Sequence, residues 1–516
     1  MADRNDEERE RLIEERDLLK EEKSRAAEQK RLEAENAARK AAARHAVVSA
    51  ASNVFSAVKT AANKTGNMAD AAKEHGRKAF RWGKQAEKKV YAGLSWFFKK
   101  LWIVLTSFAE KRWSVPVFIV VVLLAYVGIT YLCGYKLFRL QATPPTFQFY
   151  VCDYSVGFCS RLFVGAVIAL FADKVTVALM SLIINIAVSV SLVLQAVMAG
   201  LLLRTALKNR SLPAAVIGFL FMTNPLAVVE NMSAPGLLDV YLLMLFFVWL
   251  AFLKTPLCAV VTPVVCVVGM AIHYEFLFSF LPPMLTLLFY YAFFAEKKRV
   301  RVGRWLAFAG GSAVSAGSFC YLVFLAKDHL KMTSDEFYQH MLSRFSLTAA
   351  EREAYTFLMG APIFRNYFDY YIFGQYQGHD YFENIGDFFT FLKNWTSAGF
   401  NATMLRKDMI LFLPVLLLTA VIWIACARRE KGFRKLPYIC FIGQALVLVP
   451  ELIISTDIWR WVSAALLAQF FVFAVVYLDK NAPFHRLADG TKLKPFAGGL
   501  AFVAAAVYCV YCLTIV

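Results

Sequence analysis

From residue 115 to the C-terminus the chain runs in apolar stretches of membrane-spanning length, divided by short polar breaks. About 20 consecutive apolar residues in a helix cross a bilayer core. On that rule, spans are expected near 115–138, 176–204, 212–229, 235–253, 256–272, 276–294, 304–326, 409–426, 437–455, 461–478 and 495–515. The pattern predicts an all-α fold: a polytopic helical membrane protein with about eleven transmembrane helices. The run 212–229 is short and ends at Asn224-Pro225, a helix-breaking pair.

The first ninety residues follow another rule. Residues 1–45 are rich in Glu, Arg, Lys and Ala. Glu7/Arg11, Glu21/Arg25 and Glu35/Arg39 each place the acid one helical turn before the base, the favourable order. Apolar heptad positions are too sparse for a convincing coiled coil. A long, solvated, cytoplasmic N-terminal helix is expected, either binding a protein partner or, as the plainer reading, having no function that the sequence resolves. Residues 46–90 are Ala-rich and weakly amphipathic, and 91–112 mix Trp and Phe with Lys99, Lys100, Lys111 and Arg112. The latter composition suits a helix lying among lipid headgroups. The expected organisation is a polar extension (1–90), an interfacial amphipathic helix (91–112) and a transmembrane domain (113–516) with outer loops 139–175 and 327–408.

Composition agrees with the pattern: 59% of residues are hydrophobic and 18% charged, and the net charge is +18. That charge is not a nucleic-acid footprint. Its basic residues fall mainly in short segments between apolar runs, where they encode orientation. With the N-terminus in the cytoplasm, Lys99–Arg112, Arg204–Arg210, Lys254, Lys297–Arg304, Arg428–Lys435 and Lys480–Lys494 all fall on the cytoplasmic side, and the C-terminus falls outside. The N-terminus lacks the short basic and apolar regions of a cleavable signal peptide, so the first span is expected to target the chain. Cys152 and Cys159 share one outer loop and can pair if it faces an oxidising compartment. Cys509 and Cys512 form a CxxC inside an apolar terminal helix, where a metal or redox role has little support.

The stretch AIHYEFLF, 271–278, decides a point of topology. As one helix, residues 255–295 would be about 60 Å long, twice the hydrocarbon thickness. Both ends carry basic residues, so the stretch is expected to be two passes, with His273-Tyr274-Glu275 as the outer reversal. A polar turn at the interface is the plain explanation of that histidine and glutamate. The other outer ends are also acidic. Segment 139–175 carries Asp153 and Arg161, the next turn Glu230 and Asp239, and the last Glu451, Asp457 and Arg460. Acids that can act as general bases, with arginines that can clamp a phosphate, suggest one external site. Salt bridges that fix helix ends are the competing reading. Gly157 permits a tight turn in the first of these segments. The loop 327–408 mixes Tyr, Phe and Trp with Asp, Asn and Gln, which suits sugars and equally an interfacial aromatic belt. Asn394 and Asn401 head N-x-Ser/Thr sequons.

With its acidic first outer loop, CDYSVGFCSR, followed by a juxtamembrane helix and many spans, the chain resembles polytopic glycosyltransferases of the GT-C superfamily. The resemblance covers residues 115–516 as topology and rests on one acid, Asp153. It lacks an Asp-x-Asp motif and a soluble C-terminal domain. It implies a polyprenyl-phosphate-linked sugar donor, a glycan, lipid or protein acceptor, and an active site outside the membrane. Asp153 would be the base, and Arg161 and Arg460 would hold the donor phosphate. His273 and Glu275 would assist the acceptor or its proton, with Glu230 and Asp457 as further substrate ligands. It makes no cofactor certain. A divalent cation at His273-x-Glu275 stays open, although two ligands are too few to hold one. By analogy with cell-envelope enzymes, the expected location is a bacterial plasma membrane. The competing functions are a polysaccharide polymerase or ligase, a transporter or flippase for a lipid-linked or anionic substrate, and a scaffold acting through residues 1–90. The transporter reading is opposed by charges that sit at helix ends rather than at the midplane.

Overall fold

The computed structural model describes residues 92–351, 416–444, 458–479 and 500–511, apart from short gaps at 94, 144–145, 224–227, 229–235, 296, 349–350, 502 and 509. The chain separates into two units, Met1–Gly93 and Leu94–Val516, and nearly all described residues belong to the second. The described region is 80% helical. Its helices, in chain order, are α1 (95–110), α2 (Ser114–Leu132), α3 (Gln148–Val151), α4 (Phe163–Ala169), α5 (Val177–Lys208), α6 (Leu212–Thr223), α7 (Asp239–Phe252) and α8 (Cys258–Ile272). Then follow α9 (Phe276–Ser279), α10 (Leu281–Phe293), α11 (Lys298–Cys320), α12 (Ser334–Arg344), α13 (416–429), α14 (Leu436–Gly443) and α15 (Ile458–Leu478). Two short strands, β1 (Val175–Thr176) and β2 (Phe345–Ser346), pair in parallel.

The all-α class holds, and the number of spans is corrected. Among the described residues three helices are long and apolar enough to cross a membrane: α2, α5 and the continuous stretch Phe276–Phe293. At several other described places the helix is shorter than the apolar run that suggested it, whereas α11 and α15 are not shorter than theirs. The run 235–253 yields the 14-residue α7, and 256–272 yields the 15-residue α8. Hydropathy counts apolar residues through turns and irregular backbone, whereas a helix ends where its hydrogen bonds end. The runs 437–455 and 495–515 lie partly outside the described residues, as does the CxxC at Cys509 and Cys512.

Consecutive long helices run antiparallel, and their polar ends meet. The Gly200 backbone packs against Ile119 so closely that a Cβ would come within 2.9 Å of its Cα, which lets α5 lie tight on α2. At one end Arg204 donates to Ser114 Oγ and to the Lys111 carbonyl, and Arg210 pairs with Glu110 at 3.3 Å. At that same end of neighbouring helices, Lys254 pairs with Asp479 at 3.1 Å and Arg304 donates to the Thr255 carbonyl at 3.0 Å. Helix α11 follows α8 in parallel, since Arg304 meets Thr255 and Gly311 meets Thr262. Helix α10 runs against α11, with Phe289 on Trp305 and Leu285 on Gly311. The chain therefore does reverse at 273–275. Aromatic packing fills the interior: Phe221 stacks on Phe470, Phe247 meets Phe471, and Trp423 packs on Phe441 and Phe473.

Between α2 and α3 the chain is irregular, and its backbone needs partners away from bulk water. Asn185, on α5, supplies them. Its Nδ2 donates to the Leu140 carbonyl at 2.8 Å, and its Oδ1 accepts from the Leu140 N–H at 3.2 Å. Ser181 Oγ, one turn earlier, accepts from the Ala142 N–H. The side-chain amide acts here as one more rung of a strand. A groove of about 870 Å³ opens beside this seam, lined by Arg139, Leu182, Ile186, Val190 and Glu351 among others.

Candidate functional site

The segment 150–161 is fixed by two glycines. A Cβ on Gly165 would lie 1.9 Å from the Cys152 carbonyl oxygen, so only glycine lets α4 cross this backbone. Gly157 has φ +130°, a region that L side chains rarely adopt, and a Cβ there would press on the His329 carbonyl at 3.1 Å. Between them Asp153 caps the short turn Tyr154–Val156, with its Oδ1 accepting from the Ser155 N–H at 2.9 Å.

The remaining partners of Asp153 come from far along the chain. After α11 the residues 321–346 cross back over this loop. The Lys331 N–H donates to the Val156 carbonyl at 2.8 Å, and Tyr321 contacts Phe158 and stacks on His329. Lys174 Nζ donates to the Ser343 carbonyl, and β2 pairs with β1. Helix α12 begins in a capping box, Thr333 with Glu336, which also holds the Glu336 carboxyl below its usual range. Four residues apart on one face of α12 stand His340 and Arg344. Arg344 Nη1 donates to Asp153 Oδ2 and to the Val151 carbonyl, both at 2.7 Å. His340 Nε2 lies 3.2 Å from the same Oδ2.

Burial pushes the Asp153 carboxyl up, but the hydrogen bonds from Ser155 and from His340 outweigh it and hold the group below its usual range. Asp153 is therefore an ionised acceptor, and His340 Nε2 must carry the proton that it shares with Oδ2. The other ring nitrogen, Nδ1, then carries a lone pair. Side-chain exposure falls from 31% at His340 through 16% at Asp153 to 8% at Arg344, so the imidazole is the outermost member. Arg344 Nη2, Ser155 Oγ and Tyr154 Oη are buried near this centre with no hydrogen-bond partner among the described residues.

His273 and Glu275 do come together, in a setting other than the expected interface. His273 is extended, with φ −164° and ψ 133°, and its Nδ1 accepts from the Glu275 N–H at 3.0 Å. Because Nδ1 accepts, it holds no proton, and the approach of Glu275 Oε2 at 3.7 Å is not a salt bridge. Both side chains are buried, and Glu275 also accepts from Ser279. Their turn is tied to the Asp153 loop through its neighbours. Ser160 Oγ donates to the Met270 carbonyl at 2.9 Å. Arg161 Nη2 donates to Tyr274 Oη at 3.1 Å, with its guanidinium 5.2 Å from the ring centre. Arg161 holds φ +69°, a strained value for a non-glycine residue, and is itself buried.

Glu230, Asp457 and the Arg460 side chain lie outside the described residues, as do 352–415 with the aromatic loop and its sequons. Cys152 and Cys159 are both fully buried and are not joined in a disulfide, and burial pushes the Cys152 thiol well above its ordinary value. Among the described residues no three of His, Cys, Asp and Glu converge on a point that a metal ion would occupy. Sequence reading singled out Asp153 but neither of the residues that the fold brings to it, His340 and Arg344. The capping box and the His-x-x-x-Arg spacing of α12 were legible signs of a polar helix face. Compared with protein-family models, with curated proteins and with solved structures, the chain matches none.

Proposed function

We propose that the protein is a membrane glycosyltransferase that moves a sugar from a polyprenyl-phosphate-linked donor to an acceptor hydroxyl, with its proton-accepting centre at Asp153. On this reading the long apolar helices embed the chain, with the N-terminus cytoplasmic, the C-terminus outside and the Asp153 loop at the outer face. The host membrane would be a bacterial plasma membrane. The single observation that carries the reading is the meeting of Asp153, His340 and Arg344 at one end of the helical unit, opposite the end where Arg204, Arg210, Lys254 and Arg304 gather. A carboxylate with an imidazole and a guanidinium offers proton handling beside phosphate recognition. The apolar groove beside Arg139 suits a prenyl chain entering from the side.

The test is native mass spectrometry of the detergent-purified full chain with polyprenyl phosphate. Wild type and Asp153→Asn should retain the lipid, and Arg344→Gln should lose most of it. Retention by no form would remove the donor reading and favour a transporter or a scaffold. Retention with assembly of longer glycans on the lipid would favour a polymerase or ligase.

A further inference from the structure

We infer that His340 takes the proton from the acceptor hydroxyl, and that Asp153 is the residue that positions it. The inference rests on the transferase reading and assigns the roles within it. Asp153 is poorly placed to be the base. Its Oδ1 accepts from the Ser155 N–H and its Oδ2 from Arg344 and His340, so a proton arriving there would displace a charge-assisted bond 2.7 Å long. His340 has the opposite character. Its Nε2–H is committed to the carboxylate, and its Nδ1 has no hydrogen-bond partner among the described residues. Its ring lies nearly parallel to Phe337 at 6.3 Å between centres, which fixes its orientation. A ring nitrogen with an unused lone pair can accept a proton without breaking a bond already made, which this carboxylate cannot.

The step balances as follows. Nδ1 accepts the hydroxyl proton while the acceptor oxygen bonds to the anomeric carbon. The bond from that carbon to the phosphate oxygen breaks, and its electron pair leaves with the phosphate. The imidazolium that results is stabilised by the Asp153 carboxylate on Nε2–H, as an aspartate orients a histidine in other proton-relay pairs. The charged groups around the pair are Arg344 and Glu336 on its own helix, Lys174 at its end, and Asp153 across from it.

Two measurements on the full-length protein test this. The first is hydrolytic release of sugar from a polyprenyl-phosphate sugar. His340→Gln, whose amide can still donate to Asp153, should retain the lipid and lose turnover about a hundredfold. Added imidazole should restore a tenth or more of it, with little effect on wild type. Normal turnover in His340→Gln, with loss in Asp153→Asn alone, would overturn the inference and return the proton to Asp153. The second measurement needs no substrate: nitrogen NMR of histidine-labelled protein, with the His340 signal assigned by its loss in His340→Gln. A proton on Nε2 and a lone pair on Nδ1 are expected, and the reverse tautomer would overturn the inference even if no donor is found. Failure of turnover and lipid retention in wild type, with the expected tautomer, would reject the transferase reading while leaving the His340–Asp153 pair intact.

Discussion

Arg344 Nη1 stands 2.7 Å from Asp153 Oδ2 although 191 residues separate them in the chain. That bond, with the second that Arg344 makes to the Val151 carbonyl, holds α12 over the loop 150–161. A guanidinium can serve both acceptors because its donors form a fixed fork.

Replacing Arg344 by Met should therefore free the segment 326–346 from the loop. Hydrogen bonds to charged groups contribute about 1.5–3 kcal/mol, so amide exchange of α12 should quicken by roughly tenfold to a hundredfold. Arg344→Lys should recover only part of this, since an ammonium keeps the charge and loses the fork. Unchanged exchange in Arg344→Met would show that β2 and the Lys331 N–H hold the segment alone.

The contribution of Asp153 should depend on pH in one direction. Its carboxyl is held below the ordinary carboxylate range, so the folded pKa lies under the unfolded value of about 3.9. Such a group stabilises fully above the unfolded pKa, and the gain disappears as pH falls through the folded one. The difference in unfolding midpoint between wild type and Asp153→Asn should thus be constant from pH 7 to about 5 and shrink below about 4. A difference that grows on acidification would contradict the hydrogen-bond arrangement.

Two glycines should respond in opposite ways to the same methyl group. Gly165→Ala puts a Cβ 1.9 Å from the Cys152 carbonyl oxygen and must move the Asp153 loop. Overpacking of this kind costs about 1–3 kcal/mol. Gly317→Ala, inside α11 with nothing within 4 Å, should instead stabilise by about 0.5–1 kcal/mol. Thermal unfolding in detergent reads both, and a tolerant Gly165 would show that α4 can slide.

Asn185→Leu should loosen the segment 138–142 from α5. The change preserves bulk and leaves the Leu140 N–H and C=O without their partner. An unsatisfied buried polar group costs about 1–3 kcal/mol. Amide exchange at Leu140 should quicken at least tenfold, while Asn185→Gln should retain part of the protection.

The reversal at 273–275 was legible because length limits topology: a helix twice as long as the bilayer is thick has to turn back. The burial of Glu275 was not, because the cover over that turn, Ser160 and Arg161, comes from residues more than a hundred positions away. Asp153 could be singled out as the acid of the first outer loop, and Gly157 as its turn. Its partners could not, since nothing in α12 marks which acid it will meet. The number of spans was over-read for a different reason. The runs 235–253 and 256–272 are apolar nearly throughout, yet their helices have only 14 and 15 residues, because the hydrogen-bond ladder covers less of the chain than the apolar character does.

By itself the sequence determined the helical class, the apolar character of the long segments and the alternation of basic and acidic ends. Each of these follows from neighbours along the chain and from the cost of placing charge or bare backbone in hydrocarbon. Only the tertiary structure decided which helices are long enough to cross, that Arg161 belongs to Tyr274, and that Asp153 belongs to Arg344 and His340. Those pairings depend on where a returning segment docks, which is set by packing such as the glycine contact at Cys152 and the two-residue strand pair at Val175 and Phe345. Local pattern carries no record of such contacts, because side chains that meet across the fold obey no spacing rule in the sequence.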